Sequence, residues 1–148
     1  MKTHGILHPE LLELIAATGH GDVIVLTDAG LRVPAGARRI DLGLTCGVPS
    51  MVDVLRAVSG ELVIEAATVA AEFAVWNPDV HAATMAVLPV EPDERPHQEL
   101  MSDMAERAHA YVKTGECSAY ASVALVCGVN YLEDAIELYE KIHGGPPT

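Results

Sequence analysis

Two short, continuous apolar runs dominate the hydrophobic pattern of the chain. Residues 23–26 lie between Gly21-Asp22 and a Thr-Asp-Ala-Gly turn, and residues 123–127 lie near the end of the chain. Apolar runs of roughly four to eight residues, bounded by turn residues, are typical of strands that are buried on both faces. The pattern therefore predicts two central strands of a sheet.

Segments with apolar residues three and four positions apart predict helices between and after these strands. Three of them begin at residues suited to a first helical turn, namely Pro9, Ser50 and Asn77. Glycines follow several of the segments, as is common at helix ends. The predicted helices cover residues 9–18, 50–59, 77–88, 97–114 and 132–142.

Weaker patterns predict the remaining parts of the sheet. Residues 38–44 and 62–66 are strand-like, whereas the alanine-rich stretch that follows, up to Trp76, is compatible with strand or helix. The proline-rich segment 89–96 predicts a connection or an edge strand. Because strands alternate with helices, we predict an α/β fold: a three-layer sandwich with a largely parallel, mixed sheet covered by helices on both faces.

Length, composition and charge narrow the class of protein. The chain has 148 residues, half of them hydrophobic, which suits one domain with one core. We expect residues 1–131 to form this domain and residues 132–148 to be a C-terminal helical extension of it. The net charge of −12 argues against nucleic acid and anionic membranes as partners, and it favours a neutral small molecule.

The sequence also predicts a compartment. No apolar run approaches the roughly 20 residues of a membrane span, and the N-terminus lacks the apolar core of a signal peptide. The three cysteines form no close pair, and their odd number argues against a disulfide framework. We therefore expect reduced thiols in a cytoplasmic protein.

His20 and Asp28 are the first candidates for chemistry. His20 lies between two glycines before the first predicted strand, and Asp28 follows that strand. An imidazole titrates near neutral pH and can act as a general acid or base. A carboxylate at the carboxyl end of a buried strand can accept hydrogen bonds from ligand hydroxyls. Ordinary roles remain open for both: a surface histidine after a helix, and an aspartate that caps its own turn.

Residues 115–122 form a third candidate, because they combine short hydroxyl side chains with Tyr120 and could face a polyol. A plain helix end followed by the start of a strand explains them equally well. Cys117 has no histidine nearby in the sequence to activate it as a nucleophile. We find neither a nucleotide-binding glycine motif nor a His-x-x-x-His or Cys-x-x-Cys pair, so we predict no metal site.

Taken together, these segments resemble the family of D-ribose pyranases and L-fucose mutarotases, and lie closer to the ribose pyranase branch. The similarity covers about residues 5–131 in a consistent order. The motifs that carry it are Pro9-Glu10-Leu11-Leu12, Gly19-His20-Gly21-Asp22, Asp28-Ala29-Gly30, Arg39-Ile40-Asp41-Leu42, Gly47-Val48-Pro49-Ser50, Asn77-Pro78, Gly115-Glu116-Cys117-Ser118-Ala119-Tyr120-Ala121 and Gly128-Val129.

The resemblance implies an isomerase that interconverts the cyclic forms of a free, neutral monosaccharide, such as D-ribose or L-fucose, without cofactor or metal. It also implies a homopentamer or homodecamer with sites at subunit contacts. Carried over by position, His20 would be the catalytic proton donor. Four residues would bind the sugar: Asp28, His97, Tyr120 and Ser122.

Three features depart from the family pattern. Ser122 stands where the family usually has asparagine, so an amide that can both donate and accept is lost. His97 lies one residue further from Gly115 than the family spacing, and the chain continues through residues 132–148. These departures leave open a non-catalytic sugar-binding or regulatory subunit with the same fold. An isomerase of acidic sugars is a weaker alternative, because no clear basic cluster accompanies Asp28.

Overall fold

The structure, a computed structural model, describes residues 1–146. The six strands in this part of the chain form one sheet. Within the described residues, none of the helices is long and apolar enough to cross a membrane. In chain order the elements are α1 (Pro9–Ala17), β1 (Val23–Thr27), β2 (Arg39–Asp41), α2 (Met51–Ser59), β3 (Ile64–Ala70), α3 (Ala71–Trp76), α4 (Pro78–Met85), β4 (Asp93–Arg95), α5 (His97–Arg107), β5 (Ala108–Lys113), β6 (Val123–Cys127) and α6 (Leu132–His143).

Strand β6 is the one described strand that runs against its neighbours. The order across the sheet is β2-β5-β1-β6-β3-β4. β1 and β2 are both parallel to β5, and β3 is parallel to β4, whereas β6 is antiparallel to both β1 and β3. The predicted largely parallel, mixed sheet is therefore confirmed.

Helices cover both faces of the sheet, as predicted. All five residues of β1 are buried, and its side chains alternate between two apolar clusters. Ile24 and Leu26 belong to a cluster with side chains of α1 and α2, whereas Val23 and Val25 belong to one with side chains of α5. This alternation follows from the two-residue period of a strand, and it produces the three layers of the sandwich.

The predicted helix over residues 97–114 is wrong in its second half. α5 ends at Arg107 and β5 begins at the next residue, where the backbone turns to an extended conformation. No glycine or proline marks the change. In β5, Tyr111 and Val112 are buried in the two opposite clusters. A strand buried on both faces lacks the alternation of apolar and polar residues that usually identifies a strand. In the sequence, the apolar residues of β5 therefore look like a continuation of the helix.

Local chemistry explains the boundaries of other elements. Ser50 and Asp53 form a capping box at the start of α2, in which the side chain of each accepts from the backbone N–H of the other. The ambiguous stretch up to Trp76 divides into the end of β3 and the short helix α3. The proline-rich segment 89–96 was predicted to be a connection or an edge strand. It contains β4, which lies at one edge of the sheet, so the second alternative is confirmed.

Helix α6 confirms the predicted amphipathic tail helix but lies outside the core. None of its residues is buried, and Leu132, Leu138 and Ile142 are 45%, 58% and 66% exposed. Gly144 follows in the left-handed conformation that commonly ends a helix. What the tail contacts in the working protein stays a prediction.

Leu125 of β6 provides a test of this arrangement. Its side chain is fully buried in the middle of the sheet, so Leu125→Ala is expected to lower the free energy of unfolding by about 2–5 kcal/mol. The matched control Leu138→Ala removes the same atoms from α6 and is expected to cost less than about 0.5 kcal/mol. Urea unfolding followed by circular dichroism measures both; equal losses would contradict the placement of the core.

Candidate functional site

A cavity of about 730 Å³ opens at the carboxyl end of β1. This is the end of the strands where open α/β sheets commonly bind ligands. The loop after β1, the start of α5 and residues 115–122, which we call the pocket loop, line the cavity. The lining residues are Asp28, Ala29, Gly30, Leu31, Arg32, His97, Met101, Cys117, Ser118, Ala119 and Tyr120.

The Asp28 carboxylate is held at this cavity by its own turn. Its Oδ1 accepts a hydrogen bond from the Gly30 backbone N–H at 2.8 Å. Partial burial raises the pKa of Asp28 above its ordinary value. The backbone hydrogen bonds of the turn and the electrostatic effects of His97 and Lys113 offset part of this rise. An incompletely solvated carboxylate of this kind gains from hydroxyl donors on a ligand.

Aromatic rings lie at one side of the cavity: His97 and Tyr120 line it, and Trp76 packs against Tyr120. The Tyr120 ring lies 5.0 Å from the His97 ring and 5.7 Å from the Trp76 ring, between ring centroids. Tyr120 has a backbone φ of 63°, which is uncommon for a residue other than glycine and often marks functional positions.

His97 is fixed through its backbone. Its N–H donates to the Glu72 carboxylate at 2.9 Å, which holds the first turn of α5. The Nδ1 atom of His97 is buried and has no hydrogen-bond partner among the described residues. A buried polar atom normally has such a partner, and a ligand hydroxyl can supply it only if the side chains around Nδ1 adjust.

The buried carboxylate of Glu116 fixes the shape of the pocket loop. Its Oε1 accepts from the Ser118 hydroxyl at 2.8 Å and from the Cys117 N–H at 3.1 Å. Its Oε2 accepts from the Met51 N–H at 3.3 Å, and its backbone carbonyl accepts from the Ala29 N–H at 2.7 Å. Glu116 thus joins the pocket loop to α2 and to the turn after β1.

Cys46 and Cys117 are joined in a disulfide, so the expectation of three reduced thiols is wrong for this pair. The third thiol, Cys127, is free and buried. Sequence reasoning missed the pair because 71 residues separate its members. The loop that contains Cys46 and the pocket loop that contains Cys117 pack closely: a Cβ atom at Gly115 would overlap the carbonyl oxygen of Val48.

Ser122 and His20 lie away from the cavity lining. Ser122 is fully buried, and its hydroxyl has no hydrogen-bond partner in the described chain. His20 precedes β1, whereas Asp28 follows it. At about 3.3 Å per residue, the five residues of β1 alone span about 17 Å. Within one chain, the cavity therefore gathers Asp28, His97 and Tyr120, while His20 lies at the opposite end of the strand.

The His20 ring is exposed and has a partner that the sequence did not indicate. Its Nε2 lies 2.9 Å from the Glu65 Oε2 in β3. Trp76 and Glu116 were also not singled out from the sequence. The lone tryptophan before Asn77-Pro78 was a usable signal, whereas a buried glutamate in a loop gave none. Among residues 1–146, no group of three or more histidine, cysteine or acidic side chains is placed to hold a metal ion.

The fold is that of an α/β protein with a cavity at the carboxyl end of its central strand. Residues 1–130 match the RbsD / FucU transport protein family, and the chain belongs to this family. A D-ribose pyranase of Variovorax paradoxus is 43% identical over 133 residues, covering 88% of this chain and 100% of that protein. One of Paracidovorax citrulli is 44% identical over 131 residues, with the same coverage.

Solved structures show the same fold. Bacillus subtilis RbsD complexed with D-ribose has a TM-score of 0.81 and 35% identity, covering 88% of this chain and 99% of that chain. A fucose mutarotase from Streptococcus pneumoniae in complex with L-fucose has a TM-score of 0.67 and 21% identity, covering 83% and 94%. The second likeness supports the fold alone.

The raised pKa of Asp28 predicts a pH-dependent effect on stability. A raised pKa means that folding favours the protonated carboxyl. The stabilising contribution is complete below the unfolded pKa of about 3.9 and is lost as the pH rises through the higher folded value. Asp28→Asn, which keeps an oxygen for the Gly30 N–H, is therefore expected to be more stable than the wild type near pH 7 and to lose this advantage near pH 4.

Asp53→Asn is the matched control for this prediction. Hydrogen bonds from Ser50 lower the pKa of Asp53, so this substitution is expected to cost stability near pH 7 and progressively less as the pH falls. Urea unfolding of the three proteins at both pH values measures the differences. A stability difference between Asp28→Asn and wild type that does not change with pH would contradict the assignment for Asp28.

Proposed function

We propose that this protein is an isomerase that interconverts the pyranose and furanose forms, or the anomers, of a free monosaccharide, with D-ribose as the first candidate and no cofactor required. The relatives named D-ribose pyranase support this proposal, because they are 43% and 44% identical along their full lengths. The structure with D-ribose bound supports it further, since it matches the chain at a TM-score of 0.81. The cytoplasmic location expected from the sequence stays a prediction.

The observation that carries the proposal is the set of groups at the cavity. A carboxylate, a phenol and an imidazole line a space of about 730 Å³. These groups can donate to and accept from several hydroxyls at once, as a neutral sugar requires. We assign Asp28, His97 and Tyr120 to sugar binding. Ser122 stays a candidate for sugar binding, but its hydroxyl is buried and reaches the sugar only if the loop adjusts.

The chemistry requires two proton movements. Opening the sugar ring takes a proton from the anomeric hydroxyl and delivers one to the ring oxygen; closing the ring through another hydroxyl reverses both. An imidazole titrates near neutral pH and can perform either transfer, and we assign this role to His20. Asp28 and Tyr120 contribute by holding the hydroxyls in position.

One chain cannot bring His20 and Asp28 to the same sugar, because β1 holds them about 17 Å apart. A monosaccharide is much smaller than this distance. We therefore infer that His20 reaches the cavity of a neighbouring copy in a closed ring, a homopentamer or homodecamer. Two features suit such a contact: the His20 side chain is 52% exposed, and Trp76, which packs against Tyr120 of the cavity, is 65% exposed.

Removal of the His20 imidazole tests the catalytic assignment. His20→Ala is expected to slow the exchange between ribose forms by about 10²–10⁴-fold, the usual value of one positioned proton transfer. Saturation-transfer NMR on ribose, with and without protein, measures the rate. His109→Ala, which removes an exposed imidazole from β5, is the control and is expected to exchange ribose at the wild-type rate. Wild-type exchange by His20→Ala would refute the role of His20.

Mixed assemblies test the contribution of two chains to one site. His20→Ala and Asp28→Ala chains, each expected to be inactive alone, are unfolded, mixed in equal amounts and refolded together. Random assembly then gives about a quarter of the sites an intact His20 from one chain and an intact Asp28 from another. About a quarter of the wild-type exchange rate is expected. A mixture no more active than its components would contradict the two-chain site, and binding of ribose without exchange by the wild type would favour a non-catalytic sugar-binding subunit.

A further inference from the structure

The loop that carries His20 is firmly attached to the sheet. The Gly21 N–H donates to the Cys127 carbonyl at 2.8 Å, and the Cys127 N–H donates to the Asp22 carbonyl at 2.9 Å. The Asp22 side chain accepts from the Gly19 N–H at 2.8 Å and closes the turn. These bonds fix the backbone around His20, but they leave its ring free to rotate. A second device is needed to orient the imidazole.

Glu65 is placed to supply this orientation. The pairing of β3 with β6 shifts register between Ile64 and Ala66, so Glu65 lies at an irregularity of the ladder. Such bulges redirect side chains and are frequent beside functional sites. Gly128 lies against Glu65: a Cβ atom there would come within 3.1 Å of the Glu65 Cβ and 3.2 Å of its Oε2. The side chain thus fits into space that a residue without a Cβ leaves open, and its carboxylate lies 2.9 Å from the His20 Nε2.

The chemistry of this contact distinguishes the two ring nitrogens. An ionised carboxylate can only accept, so Nε2 must carry the proton of the hydrogen bond. In a neutral imidazole the other nitrogen then has a free lone pair. We propose that Glu65 is a positioning residue that holds His20 in the Nε2–H form and leaves Nδ1 as the atom that exchanges a proton with the sugar. This inference rests on the catalytic role of His20 proposed above.

The surroundings of the pair favour a functional role over a stabilising one. The two side chains are 52% and 41% exposed, and exposed ion pairs contribute little to stability because water screens them. Burial, and to a smaller extent the charges of Asp22 and Glu65, raises the pKa of the nearby Cys127 thiol to about 11, so this thiol stays protonated and does not compete with His20 for proton transfer near neutral pH.

Glu65→Gln is the decisive variant, because it keeps the length of the side chain but adds an amide that can donate to Nε2. The carboxylate would then no longer select one tautomer. The rate of ribose exchange is expected to fall by about tenfold or more, as for other partners that orient a histidine, while the Kd for ribose changes less than about twofold. NMR of ¹⁵N-labelled histidine, with His20→Ala used to assign the signal, is expected to show a mixture of tautomers in place of Nε2–H alone.

Glu13→Gln is the matched control, because it neutralises an exposed carboxylate on α1 that pairs with Arg38. It is expected to change neither the exchange rate nor the His20 tautomer. Wild-type exchange and an unchanged tautomer in Glu65→Gln, while His20→Ala is inactive, would overturn the positioning role and leave the proposed function intact. Slow exchange with Nε2–H retained would overturn the assignment of Nδ1. An active His20→Ala would instead refute the catalytic role itself.

Discussion

The burial of β1 on both faces determines where every candidate functional group can lie. Its five residues are covered by α1 and α2 on one side and by α5 on the other, and the strand is paired along both edges. Burial of apolar surface is the dominant favourable term in folding, so a shift of this strand would be costly. A shift of one residue would also move each side chain to the wrong cluster. The ends of β1 are therefore fixed, with Asp28 after its carboxyl end and His20 before its amino end.

The fold could be predicted wherever the sequence marks the ends of elements. Pro9, the capping box at Ser50 and the turn residues around β1 each have a local physical meaning, and the corresponding helices and strand lie where they were expected. The junction of α5 and β5 has no such mark. The chain changes from helix to strand there because β5 pairs between β2 and β1, where Tyr111 and Val112 become buried on opposite faces of the sheet. These contacts are with residues far away in the sequence.

The candidate site follows the same rule. Asp28 and the pocket loop could be singled out because they adjoin predicted strand ends, and the topology of the sheet brings them together at one cavity. The contacts of Glu65 with His20 and of Glu116 with Met51 join residues 45 and 65 positions apart. Nothing in the local sequence marks either glutamate. The disulfide between Cys46 and Cys117 of the pocket loop could not be predicted either, because 71 residues separate the two cysteines.

The antiparallel direction of β6 links the two halves of the proposed site within each chain. The pocket loop leads into β6 beside the cavity, and β6 ends at Cys127, which is hydrogen bonded to the loop that carries His20. In a ring of copies, every β6 would thus be shared by two neighbouring sites. Insertions and deletions in this strand would therefore disturb both sites together.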